Sequence, residues 1–311
     1  MHRNRELDIL KGLLIIFVVI GHTNIKIPYL DVFWFHMPGF FLISGYLTKQ
    51  WSFSKSKLIK FFVPYLCYSI VFYLLFSPEP LYKNIVRTLY GGRLNTLAYS
   101  YPYWFINAFA LVNLGFGIIL SKSFKLGKEI TIDYATILFL ISYILIHTPL
   151  FSILPYPLPM SMDCAFGAYI YYYIGYKLKS VDIMNIKRFW IILIIPVLFI
   201  YLNNCLDWNY RINMKDITYN FIWLDLLVPC SFIYLFYVFS LLLKKICYVS
   251  DTLACIGHSS MTIFYTHAAI LFLFRNEVPI ELNILFAITI GLFIHNLFGK
   301  NKYSSLFFLG R

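Results

Sequence analysis

Residues 8–47 read DILKGLLIIFVVIGHTNIKIPYLDVFWFHMPGFFLISGYL, two apolar spans that carry the wrong residues for plain membrane anchors. Lys11 and His22 sit on the first span, and His36, Ser44 and Gly45 on the second. A lysine at the centre of a membrane helix costs roughly 2.5–3.5 kcal/mol on insertion scales. A segment that served only to hold a chain in a bilayer can be built from Leu and Ile. The polar residues therefore point to a site inside the membrane.

The rest of the chain has the same character. It is 60% hydrophobic and only 13% charged, where a soluble domain carries about 25% charged residues. Apolar windows of spanning length, about 17–25 residues, recur near 7–27, 33–49, 58–77, 102–120, 131–150, 158–178, 189–206, 221–243, 254–274 and 280–298. Backbone groups cannot stay unpaired in lipid, so these windows read as helices, and their period excludes a barrel of short alternating strands. The expectation is an all-α, polytopic transmembrane bundle of about ten helices, with residues 1–311 forming a single domain. Lys11 interrupts the first apolar run and no small-residue cleavage site ends it, so that span reads as retained.

Lysine and arginine orient the bundle. Taking the segments between spans alternately, 19 of the 26 basic residues fall on the side of the two termini and 7 on the other. Both termini are expected in the cytoplasm. The +12 charge is thus a topology signal, spread over short loops rather than gathered on one face, which excludes a nucleic-acid partner. The six cysteines are scattered without a CxxC pair, and no metal site is expected. Residues 81–90, LYKNIVRTLY, place apolar side chains at helical spacing beside Lys83 and Arg87, an amphipathic helix on the outer face ended by Gly91 and Gly92.

Eleven residues, about three turns, separate Lys11 from His22, so both lie on one helix face roughly 16 Å apart. A cation near the cytosol can hold a phosphate, and an imidazole deeper in can move a proton. The pair suits a long phosphorylated cofactor threaded into the membrane. Counting along the spans puts His22, His36, Asp163, Asp225 and His267 in the outer half, together with Trp104 and Asn107 at the start of span four. Five ionisable groups at one depth suggest a shared polar cavity. Arg211 stands in the outer loop 206–220, and His295 falls at the inner end of span ten, where it reads as interfacial.

These residues resemble the N-terminal signature of the acyltransferase-3 family of integral membrane O-acyltransferases, in particular its fucose-4-O-acetylase-like branch. The matching pieces are DILKG at 8–12, VVIGH at 18–22, FHMP at 35–38 and ISGY at 43–46. YWFI at 103–106, DCAFG at 163–167, YIGY at 173–176, IGHSS at 256–260 and YTH at 265–267 follow in order. Many members carry Arg where this chain has Lys11, which keeps the charge but not the bidentate fork. The resemblance implies transfer of an acyl group, usually acetyl, from cytoplasmic acyl-CoA to a hydroxyl of a cell-envelope carbohydrate, free or lipid-linked. It makes His22 the catalytic histidine and Lys11 its partner cation. The expected donor contacts are Lys11, Ser44 and Gly45; the expected acceptor contacts are His36, Trp104, Asp163, Arg211 and His267. The setting would be a bacterial plasma membrane, and membrane lipid a partner. A lipid-linked saccharide transporter is the alternative, in which polar residues at mid-depth line a path. Some members carry a further extracytoplasmic hydrolase-like domain, for which 311 residues leave no room.

The charge split predicts that single cysteines placed at Asn95 and Asn213 react with impermeant thiol reagents in intact cells. Reaction only after the membrane is opened would reverse the orientation.

Overall fold

The computed structural model describes residues 4–48, 55–77, 79–92, 98–126, 128–149, 153, 157–181 and 186–311. Asn95 lies outside them. Every long described element is a helix, and no strand occurs among the described residues beyond two isolated bridges. In chain order the helices are α1 (Arg5–Gly21), α2 (His36–Leu47), α3 (Lys55–Phe76), α4 (Leu81–Tyr90), α5 (Trp104–Leu126) and α6 (Lys128–Ile146). There follow α7 (Met162–Lys177), α8 (Ile186–Cys205), α9 (Leu224–Leu243), α10 (Cys247–His258), α11 (Ser260–Phe274) and α12 (Ile280–Gly299).

Four segments are long and apolar enough to cross a membrane: Ile59–Phe76, Tyr101–Ile119, Leu224–Leu243 and Ile280–Gly299. Shorter apolar helices, among them Val32–Leu47 and Ser260–Phe274, fill the space between them. The apolar window 254–274 is not one helix, as its hydropathy suggests, but two. Gly257, His258 and Ser259 are weak helix formers, and the chain turns at Ser259, whose N–H bonds back to the carbonyls of Cys255 and Ile256 at 3.1 Å each. The amphipathic helix expected at 81–90 is present as α4. Its apolar side chains Leu81, Ile85, Val86 and Leu89 point outward, while Asn84 and Thr88 are buried. That is the reverse of a soluble surface helix and suits a helix lying in the membrane plane. Gly91 ends it at φ 64°, a left-handed conformation that glycine adopts without a Cβ clash.

Two glycine crossings hold the centre. At the first, a Cβ on Gly12 would stand 2.2 Å from the carbonyl oxygen of Leu253, and one on Gly257 would stand 1.8 Å from that of Asp8. Small residues let α1 and α10 meet backbone to backbone, as is common between membrane helices. At the second, Gly45 faces the Tyr172 carbonyl and Gly175 faces the Leu42 carbonyl, with Cβ distances of 1.9 and 2.0 Å. Gly45 therefore seats α2 on α7.

Gly45→Ala forces these backbones apart, an overpacking change that typically costs about 1–3 kcal/mol. The expected result is a lower thermal unfolding midpoint in detergent, with unchanged apparent donor affinity in the folded fraction. A weakened donor affinity at unchanged stability would instead give Gly45 a direct role in binding.

Candidate active site

α1 carries Lys11 in its first half and is capped at its far end by His22, and each of the two lines its own cavity. The termini lie toward the end of the bundle that charge assigns to the cytoplasm, here the basic end. A cavity of about 410 Å³ lies there, lined by Asp8, Lys11, Ser44, Lys60, His258, His295 and Arg311 among apolar residues. Lys11 Nζ is 3.3 Å from Asp8 Oδ1, one turn back on α1. Arg311 Nη2 lies 3.3 Å from His258 Nε2 and 3.3 Å from His295 Nε2. Thr262 Oγ1 and His295 Nδ1 bond at 2.8 Å. Ser44 Oγ donates to Asn113 Oδ1 at 3.1 Å, and the Tyr172 hydroxyl donates to the same oxygen at 3.0 Å. Three permanent cations, two imidazoles and one carboxylate give this cavity an excess of positive charge that suits phosphate groups.

The other cavity, about 210 Å³, is lined by His22, His36, Tyr101, Trp104, Asn213, Lys215 and Asp216 with Phe33 and Phe264. His22 caps the C-terminal end of α1. Its Nδ1 bonds to the Tyr101 hydroxyl, and its ring lies against that of Tyr101, edge to face at 4.9 Å. The Lys215 ammonium lies over the other ring system of the pair, 4.8 Å from the Tyr101 centroid. His267 from α11 stacks on His22 at 5.0 Å with 22° between the planes.

Backbone carbonyls fix two of the three histidine tautomers. His36 Nδ1 bonds to the Val32 carbonyl. His267 Nδ1 bonds to the carbonyls of Ile263 and Phe264 at 3.1 and 2.8 Å. A carbonyl only accepts, so both Nδ1 atoms carry the proton and both Nε2 atoms hold a lone pair. His267 Nε2 is buried and has no hydrogen-bond partner among the described residues. The Tyr101 hydroxyl can accept from His22 Nδ1–H, which leaves His22 Nε2 as a lone-pair base.

Aromatic rings separate the two cavities. Phe40 and Phe109 line the basic one and Phe264 the other. Phe105 packs among them, with centroids 5.9 Å from Phe40, 5.3 Å from Phe109 and 4.9 Å from Phe264. Phe264 and Tyr265 are consecutive on α11 yet line different cavities, as do Met37 and Phe40, about one helical turn apart on α2.

The residues singled out from sequence thus separate. His22, His36 and Trp104 come together at one cavity, with His267 behind them; Lys11 and Ser44 come together at the other. Arg211 lines a further outer recess beside Asp31. Asp163 accepts from the N–H groups of Leu158 and Cys164 at 3.4 and 2.9 Å, at the start of α7. Asp225 forms a separate buried cluster, accepting from the Tyr210 hydroxyl at 2.6 Å and the Asn220 N–H at 2.8 Å, with His147 Nε2 at 3.0 Å. The single cavity expected from five groups at one depth is therefore not formed. His295 is buried at the basic cavity, not interfacial. Tyr101, Lys215, His258 and Arg311 were not singled out for the site by sequence. His258 entered only within the IGHSS piece at 256–260, and Lys215 and Arg311 only through the basic count.

Comparison with known proteins places the chain in context. The model of the acyltransferase-3 family, described as an acyltransferase domain, matches residues 4–296. No curated protein and no solved structure matches.

Tyr101→Phe removes the hydroxyl at His22 Nδ1 while keeping the ring under Lys215. Loss of a hydrogen bond worth about 1.5 kcal/mol corresponds to roughly a tenfold fall in turnover. Steady-state kinetics at saturating donor should show this fall in kcat with little change in donor KM. An unchanged kcat would show that the hydroxyl does not orient His22.

Proposed function

The chain belongs to the acyltransferase-3 family, and we propose that this membrane acyltransferase moves an acetyl group from cytoplasmic acetyl-CoA to a hydroxyl of a cell-envelope or exopolysaccharide sugar, as in the fucose-4-O-acetylase-like branch, in a bacterial plasma membrane. One observation carries the reading: α1 bears a cation-lined cavity at one end and a histidine-lined cavity at the other, with one layer of rings between. A donor with a phosphorylated head, a long thin arm and a reactive thioester matches that layout, head at Lys11 and thioester at His22.

In this scheme Lys11, Lys60 and Arg311 neutralise the phosphates of the donor, while His258 and His295 accept from Arg311 through Nε2 and hold its guanidinium in place. Ser44 stays engaged with Asn113 and keeps α2 against α5. The thioester reaches the His22 cavity by displacing the Phe40, Phe105 and Phe264 rings. The acceptor sugar enters from the other side and packs on Trp104, with its hydroxyl on His22 Nε2. His22 takes the hydroxyl proton as the oxygen attacks the thioester carbonyl. The carbon–sulfur bond then breaks, the proton passes to the departing thiolate, and ester and free CoA result. Lys215, held on Tyr101, places positive charge beside the oxyanion that forms on the way. His36 presents a fixed lone pair that suits a further sugar hydroxyl, and His267 backs the His22 ring. Their Nδ1 protons are tied to the backbone, so neither turns easily to the other tautomer.

A positioned base is worth about 10²–10⁴-fold. His22→Ala and His22→Gln are both expected to abolish O-acetylation of envelope polysaccharide, read by mass spectrometry, while membrane insertion and polymer export stay normal. Gln keeps hydrogen bonding but cannot take the proton, so normal acetylation by an inserted His22→Gln protein would remove the assignment. Loss of export in place of acetyl groups would point to transport. Lys11→Ala is expected to raise the donor KM with a smaller effect on kcat, and Lys11→Arg to keep most activity.

A further inference from the structure

The His22 cavity does not end at its own walls. Gly21 and Phe33 line both it and a second recess of about 870 Å³, roughly four times its volume. The narrow wall they share is formed where α1 ends. A Cβ on Gly21 would stand 2.9 Å from a Val32 methyl and 3.6 Å from the Phe33 ring. The Phe33 ring also lies against His36, edge to face at 5.2 Å.

The recess is lined by the turn before α2 on one side and the end of α8 with the following loop on the other. Its polar groups include Asn203, Asn204, Asp31, Arg211 and Lys26, and Tyr29 offers a ring that is 70% exposed. Asn204 uses one amide hydrogen on the carbonyl of Ile200, leaving its oxygen toward solvent. Asp31 accepts from the Phe33 N–H at 2.9 Å. Burial raises its carboxyl above the usual range, against the opposing effects of that hydrogen bond and of Arg211. Amides and a carboxylate offer acceptors and donors in alternation, which is what a run of hydroxyls requires. The Tyr29 ring offers a flat apolar face for the C–H face of a sugar. Two non-glycine residues of the walls are held in the left-handed region, Tyr29 at φ 65° and Asn209 at φ 48°. Such conformations cost on the order of 1–3 kcal/mol and persist where the surroundings impose them, ligand clamps among them.

We propose that the recess is a saccharide subsite: the acceptor is a chain of several sugars, with the reacting unit at His22 and its neighbours beyond Phe33. This rests on the acyl-transfer reading above and adds to it the length of the acceptor. The test uses the full chain in lipid nanodiscs with acetyl-CoA. Its acceptor is the producing cell's own surface polysaccharide, stripped of esters by mild alkali, cut by partial acid hydrolysis and sized into single sugars, short and long oligomers. Release of CoA thiol is followed for each fraction. The expected result is a kcat/KM that rises about tenfold or more from single sugars to long oligomers, equivalent to at least about 1.4 kcal/mol of added transition-state binding. The double variant Tyr29→Ala, Asn204→Ala should lose most of that rise while keeping the wild-type rate on single sugars. Equal kcat/KM for every length, or a rise that the double variant retains, would overturn the subsite and leave acyl transfer standing. Acceptance of no fraction at any length would overturn acyl transfer to this saccharide, and the subsite with it.

Discussion

The meeting of α1 and α10, backbone on backbone at Gly12 and Gly257, is the contact on which the two cavities depend. It lies one residue from Lys11 and one from His258, and so brings together two helices that both contribute to the basic cavity. It also sets the line of α1, whose far end must bring His22 to Tyr101 and His267. In lipid there is little hydrophobic drive between helices, and close packing through small residues takes its place. A methyl group at either glycine would meet a carbonyl oxygen and tilt the one helix that carries both polar groups.

Around that axis the chain solves a solvation problem by division. Ionisable groups are costly in hydrocarbon and must face each other, a cavity or the protein interior. The basic groups gather at one end, where Arg311 reaches two imidazoles. The neutral imidazoles gather at the other, with backbone carbonyls taking the spare protons of His36 and His267. Asp163 and Asp225 are kept apart from the imidazoles of the site. Asp225 is saturated by Tyr210, Asn220 and His147, and that cluster ties α6 and α9 to the loop that bears Ile212, Asn213 and Lys215. A further bond from the Trp34 indole to the Tyr210 carbonyl, 3.1 Å, fixes the same loop to the start of α2. The outer cavity is thus roofed by a loop that is anchored at two points.

Helical class, the span windows and the amphipathic helix at 81–90 were legible because each depends on local pattern, whether apolar length or period. The pairing of His22 with His36 and Trp104, and of Lys11 with Ser44, could be approached from depth along spans that neighbour one another. Depth fails where azimuth matters. Asp163 and Asp225 are turned by their helices toward a helix start and a tyrosine cluster. Hydropathy averaged across Ser259 hid the break between α10 and α11, since the short polar interruption at 257–260 sits among apolar residues. Tyr101, Lys215 and Arg311 reach the cavities from a turn, a loop and the last described segment, where no periodicity marks a direction. Arg211, adjacent in sequence to the residues over His22, faces the neighbouring recess instead.

The thin ring layer of Phe40, Phe105 and Phe264 has an electrical consequence. If both cavities fill with water in a bilayer, a membrane voltage falls mainly across that layer and not across the full hydrocarbon thickness. Each elementary charge carried through the whole potential exchanges about 2.3 kcal/mol per 100 mV, and here nearly all of it would be exchanged within about one helical turn. Packed apolar rings offer an ion no coordinating oxygen along that step. Under that condition the layer would be the insulator of the molecule, keeping ions and protons on their own sides.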